Sequence, residues 1–109
     1  MSTKKSKVER LPNIHPGRIL RKEVLEGRGI SQTHLAEATG LPVSRINDLV
    51  KGRRGMTVDS AIRLSRALGT SVELWLNLQR SFDLEEAMLA REKEYDALVP
   101  LETASAMAH

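Results

Sequence analysis

The stretch SQTHLAEATGLPVSRINDLVKGRR, residues 31–54, reads as two short helices joined by a tight turn. Ser31 suits the N-cap of the first, because its hydroxyl can accept from a free amide of the first turn. Leu35 and Ala36 supply a small apolar contact. Gly40 ends the helix, since the residue after a helix commonly takes a left-handed backbone that glycine adopts without a Cβ clash. Leu41 is placed as a buried turn residue, and Pro42 as the first residue of the second helix, where no amide hydrogen is needed. Ile46, Leu49 and Val50 follow at i, i+3 and i+4, so one stripe of this helix turns toward the first. Ser44, Asp48 and Lys51 lie opposite, flanked by Arg45 and Asn47. Gly52 stops the helix just before Arg53 and Arg54. Two short helices about a glycine turn make the helix-turn-helix plan.

That opposite face has no packing role to explain it. Arginine can pair with guanine O6/N7, asparagine with adenine N6/N7, and a carboxylate can accept from cytosine N4. A solvated helix surface could carry the same residue types. The glycine turn at Gly40 and the basic cluster after Gly52 turn the reading toward a helix that enters duplex DNA.

The whole chain fits that scale. Its 109 residues allow one small domain with a single core. Only three aromatic residues occur, so Leu, Ile, Val and Ala must fill the core. Helical spacing recurs and β-type alternation does not, which makes the fold all-α. The absence of cysteine excludes disulfides and thiolate zinc sites. No secretory signal and no membrane-length apolar run are visible, so a cytoplasmic protein is expected. The formal net charge of +3 is unevenly distributed. Residues 1–54 carry 12 Lys/Arg against 5 Asp/Glu, whereas residues 81–109 carry 2 against 7. A polyanion would be drawn to the half that holds the helix-turn-helix.

Working outward, residues 1–13 form a basic stretch with Lys4, Lys5, Lys7 and Arg10, read as a flexible arm or a solubilising tail. His15-Pro16-Gly17 opens a helix whose Ile19, Leu20, Val24 and Leu25 face the core; Gly27 and Gly29 end it. After Arg54, Thr57 caps a fourth helix with Asp59 in its first turn, and Val58, Ala61, Ile62, Ser65 and Leu68 are expected on its inner face. Ser71 caps a fifth, carrying Val72, Trp75, Leu76 and Leu78. Trp75 is read as a core or dimer anchor. Residues 81–99 read as a final amphipathic helix or an extension of the fifth, and residues 100–109 as a frayed tail. Trp75, Leu78, Phe82, Met88 and Tyr95 are the expected dimer or partner surface.

With these motifs in place, the chain resembles the HigA/VapI family of antitoxins, a branch of the XRE (lambda-repressor-like) helix-turn-helix group. The likeness covers about residues 14–84. It rests on His15-Pro16-Gly17, on SRINDLVKGRRGMT at 44–57 and on TSVELWLNLQRSFDL at 70–84, in that order. It implies a five-helix lambda-repressor-like domain, residues 14–80, followed by a C-terminal helix. Gln32 resembles the glutamine of such domains that bonds DNA backbone or the recognition helix. Pro42, Val43, Ser44, Arg45, Asn47 and Asp48 fall at groove-facing positions, and Lys51, Arg53 and Arg54 at phosphate-facing ones. Pro42 and Val43 depart from the polar residues common there, as Gly27-Arg28 and Leu74 depart elsewhere. The family implies a homodimer on a palindromic operator of double-stranded DNA, read through the major groove. It also implies a cognate HigB-like endoribonuclease toxin that the chain neutralises. A stand-alone XRE-type transcriptional regulator is the alternative.

No enzyme is legible. His15, His34 and His109 are scattered, without metal-ligand spacing and without a phosphate-cradling glycine loop, and no cofactor is expected.

Overall fold

His15 caps its own helix: the Nδ1 atom accepts the Gly17 amide at 2.9 Å. The computed structural model describes residues 13–101, which carry five helices. They are α1 (Pro16–Ile19), α2 (Gln32–Thr39), α3 (Val43–Val50), α4 (Val58–Leu68) and α5 (Val72–Asp96). The expected basic residues Lys4, Lys5, Lys7 and Arg10, and the tail from residue 102, lie outside the described residues. Among the described residues no strand is present, and no helix is long and apolar enough to cross a membrane.

Helix α1 continues without interruption as a π-helical segment, Leu20–Glu26, in which the Gly27 amide reaches back to the Lys22 carbonyl. Leu20 and Val24 of that segment are buried, with Ile19 and Leu25 packed beside them. The three hydroxyl caps fall as their sequence positions dictate. Ser31, Thr57 and Ser71 accept from the amides of His34, Ser60 and Leu74 at 3.0, 3.1 and 3.0 Å. Each removes one of the orphan donors that a helix start otherwise leaves.

Helix α3 packs on α2 and α1, α4 bridges α2 and α5, and α5 returns to α1. Leu20, Leu35, Ile46, Leu49, Leu64 and Trp75 form the centre of the core. Trp75 is only 1% exposed, and its indole N–H donates to Thr70 Oγ1 at 2.8 Å. It is therefore a core residue and unavailable as a partner anchor. Two other expectations change. Val58 and Ile62 of α4 stand out at 59% and 39% exposure, while Ser60, Ala61, Leu64, Ser65 and Leu68 form the inner face. The buried Ser60 hydroxyl is satisfied locally by Thr57 Oγ1 at 3.1 Å, which lets a polar residue sit inside.

The expected C-terminal helix is the continuation of α5, which runs 25 residues with non-helical angles only at Arg91 (φ −130°, ψ 30°). Its inner side is fixed by Phe82, whose ring meets that of His15 edge-on at 4.9 Å. Asn13 adds bonds from Nδ2 to the Phe82 carbonyl at 3.4 Å and to Glu86 Oε2 at 2.9 Å. Leu78 packs against the core from the same helix. Leu84 follows Phe82 by two residues, more than half a turn, and is 62% exposed; Met88, one turn on, is 43% exposed. Phe82 and Leu78 thus hold α5 to the domain, whereas Leu84 and Met88 remain on its outside.

Candidate nucleic-acid interface

The turn between α2 and α3 is built from local bonds. Thr39 Oγ1 donates to the Leu35 carbonyl at 2.8 Å and accepts from the Leu41 amide at 3.3 Å. Gly40 takes the left-handed backbone (φ 77°), and Leu41 drops into the core. Arg63 of α4 clamps this turn from outside, donating to the Thr39 carbonyl and to Asp59, both at 2.9 Å. Pro42 is the N-cap of α3 and not its first helical residue: its ψ of 146° is extended, and the helix starts at Val43. The extended conformation keeps the proline ring out of the helix while its carbonyl accepts from Arg45 and Ile46.

Ile46 and Leu49 are fully buried. They hold α3 so that Val43 and Ser44 are exposed at one end, with Arg45, Asn47 and Asp48 half-buried along the same outer side. Lys51, Arg53 and Arg54 are exposed at the other end. The helix closes in a Schellman motif: the Gly52 amide donates to the Leu49 carbonyl at 3.1 Å and the Arg53 amide to the Asp48 carbonyl at 2.8 Å. This requires the left-handed backbone of Gly52 (φ 73°).

The sequence-predicted residues are close together but not all equally available. Gln32 turns to the recognition helix: its Oε1 accepts from Asn47 Nδ2 at 3.2 Å. Asn47 Oδ1 accepts from an Arg53 terminal nitrogen at 3.3 Å, and Arg53 Nε pairs with Asp48 Oδ1 at 3.3 Å. Ser44, Arg45, Lys51 and Arg54 have no side-chain partner among the described residues.

Three residues that sequence reasoning left out support this surface from behind. Gln79 of α5 accepts the Met56 amide through Oε1 at 2.6 Å and donates through Nε2 to Asp83 at 2.9 Å, tying the loop after α3 to α5. His15 packs beside Gly52 and Phe82. Together with Arg53, Arg54, Met56 and Asp83 these side chains line an open cavity of about 350 Å³. Burial draws the His15 pKa below its ordinary 6.5, against the opposing pull of Asp83 and of a hydrogen bond with the Arg54 backbone. All three lie in quoted motifs, His15 in His15-Pro16-Gly17 and Gln79 and Asp83 in residues 70–84, but neither motif assigned them a role at this surface.

Among the described residues no group of three or more His, Asp or Glu could hold a metal. A helix-turn-helix family model matches residues 22–75. Virulence-associated protein I of Dichelobacter nodosus is 42% identical over 93 residues, 85% of each chain. Antitoxin HigA-1 of Vibrio cholerae is 36% identical over 95 residues, 87% of this chain and 89% of that one. The structure of the Pseudomonas aeruginosa antitoxin HigA with the higBA promoter superimposes with a TM-score of 0.79 at 40% identity, over 84% of this chain and all of that one.

Proposed function

The chain belongs to the HigA/VapI antitoxins of the XRE helix-turn-helix group, and from that premise we propose that it represses its own operon as a dimer and neutralises a co-encoded endoribonuclease toxin in the cytoplasm. The observation that carries the DNA-binding half is the division of α3. Ile46 and Leu49 are buried against the domain, while Val43, Ser44 and Arg45 face outward and the side chains of Ser44 and Arg45 have no hydrogen-bonding partner among the described residues.

A dimer sets two copies of α3 in successive major grooves, with half-sites about 34–36 Å apart. Lys51 and Arg54 reach phosphates and fix the register, and the α3 face that begins at Val43 discriminates bases. Valine suits contact with a thymine methyl, and arginine suits guanine O6/N7. The outer stripe of α5, Leu84 and Met88, continues toward Tyr95 and is the surface offered to a second protein molecule.

The test has two arms. Fluorescence anisotropy should show the purified chain binding a promoter fragment from upstream of its own gene more tightly than a scrambled fragment. Co-expression should show the product of the adjacent gene losing its toxicity and co-purifying with this chain. Equal binding to both fragments overturns the repressor role; undiminished toxicity overturns the antitoxin role.

A further inference from the structure

We propose that Arg53 is a positioning residue for the recognition helix and not a phosphate ligand, so that base reading is concentrated in the first turn of α3, at Val43, Ser44 and Arg45. This rests on the operator-binding reading and makes it specific. The argument starts from the backbone. The Schellman closure at Gly52 sends the chain back over the last turn of α3 and bonds the Arg53 amide to the Asp48 carbonyl at 2.8 Å. The side chain therefore leaves from a fixed point beside Asp48. Its guanidinium spans two neighbours, with Nε on Asp48 Oδ1 and a terminal nitrogen on Asn47 Oδ1, each at 3.3 Å. Asn47 passes the chain on through Nδ2 to Gln32 at 3.2 Å.

Four side chains thus form one row from the start of α2 to the loop after α3, and the row changes what each can do. Adenine recognition takes both the carbonyl and the amino group of an asparagine. Here one hydrogen of the Asn47 amino group is committed to Gln32 and one lone pair of its carbonyl to Arg53. This ties the amide to the row and leaves half of its bonding capacity for a base. Asp48 is a carboxylate on a face that meets a polyanion, and Arg53 offsets its charge where repulsion would be largest. An arginine so placed contributes by shape, because its planar fork holds two acceptors at once, which a lysine does not reproduce.

The salt dependence of operator binding separates the two roles. Loss of one phosphate contact lowers the slope of log K against log salt by about 0.9, whereas loss of a positioning contact lowers affinity at every salt concentration and leaves the slope in place. The experiment measures anisotropy of the full chain on its own promoter fragment between 50 and 200 mM salt. Arg53→Ala should bind about tenfold more weakly with an unchanged slope, and Arg53→Lys should restore less than half of that loss. Arg53→Ala combined with Asp48→Ala should bind more tightly than Arg53→Ala alone, since the uncovered carboxylate is then gone. Lys51→Ala and Arg54→Ala should each lose about two units of slope, since the dimer loses one phosphate contact per protomer. In a base-by-base operator scan, Asn47→Ala should keep the wild-type preference profile and Ser44→Ala should not. If Arg53→Ala loses about two units of slope, or if Asp48→Ala alone tightens binding by the same factor as it does in the Arg53→Ala background, Arg53 is a phosphate ligand and the assignment falls while the operator reading stands. A wild-type chain that does not bind the fragment removes both.

Discussion

Gly17 lies directly against the carbonyl of Leu49, and a β-carbon at that position would overlap the oxygen. The opposing atom belongs to helix backbone, which cannot move aside as a flexible side chain can. Gly17→Ala should therefore push α1 away from the C-terminal end of α3. The expected cost is at least about 1–3 kcal/mol of folding stability, the range for overpacking, with weakened operator binding in the fraction that remains folded. Urea denaturation and anisotropy check the two parts.

Arg45 stands half-buried on the outer side of α3, its guanidinium without a partner among the described residues. Arg45→Ala should cost on the order of 1–3 kcal/mol in operator affinity and relax the preference at one base position. Unaltered binding and preference would take Arg45 off the reading face.

Binding itself should be strongly salt-dependent. If the dimer contacts roughly 6–10 phosphates, affinity should fall by about 10³–10⁵ between 50 and 200 mM salt. A nearly flat dependence would mean that few phosphates are engaged.

His15 gives a signed pH dependence. Its Nδ1 must be unprotonated to accept the Gly17 amide, and burial lowers its pKa below 6.5. The unfolded chain consequently holds more proton in the window just below pH 6.5, so stability should rise as pH climbs through that window and fall as pH drops through it. His15→Asn keeps a capping acceptor but has no such proton. Its urea midpoint should change less between pH 6.5 and 5 than that of the wild type.

Leu84 and Met88 can be tested without touching the core. Surface substitutions usually change stability by no more than about 0.5 kcal/mol. Leu84→Glu with Met88→Glu should leave the thermal midpoint near its wild-type value and reduce association, read as solution mass by light scattering and as co-purification with the adjacent gene's product. If both are unchanged, the protein-binding surface lies elsewhere.

Most helix limits were legible because short-range chemistry sets them. Ser31, Thr57 and Ser71 cap as hydroxyl residues before apolar runs should, and Gly40 and Gly52 end their helices with positive φ. The stripe of Ile46 and Leu49 was legible for the same reason, since its period is that of the helix. What escaped depends on residues far apart in the chain, or on polarity satisfied internally. Ser60 was not among the residues expected on the inner face of α4, yet it is buried there with its hydroxyl bonded to Thr57. Phe82 looked like a partner residue on an acidic helix until His15 arrived opposite it. The π-helical turn at Leu20–Glu26 leaves no mark in the apolar spacing. Within the candidate site, the placement of Ser44, Arg45 and Lys51 away from the buried stripe was readable from the helical period. The fold-back of Arg53 onto Asn47 and Asp48 was not, because the Schellman closure that directs it is a matter of three-dimensional path.

Helix α5 begins with a tryptophan sealed in the interior, holds the post-α3 loop through Gln79, and projects Leu84 and Met88 outward on the same rod. A protein that grips the projecting part therefore pulls on the same helix whose other end steadies the loop after α3. Occupancy of one surface would then be felt mechanically at the other, with no hinge between them before Arg91 to absorb the strain.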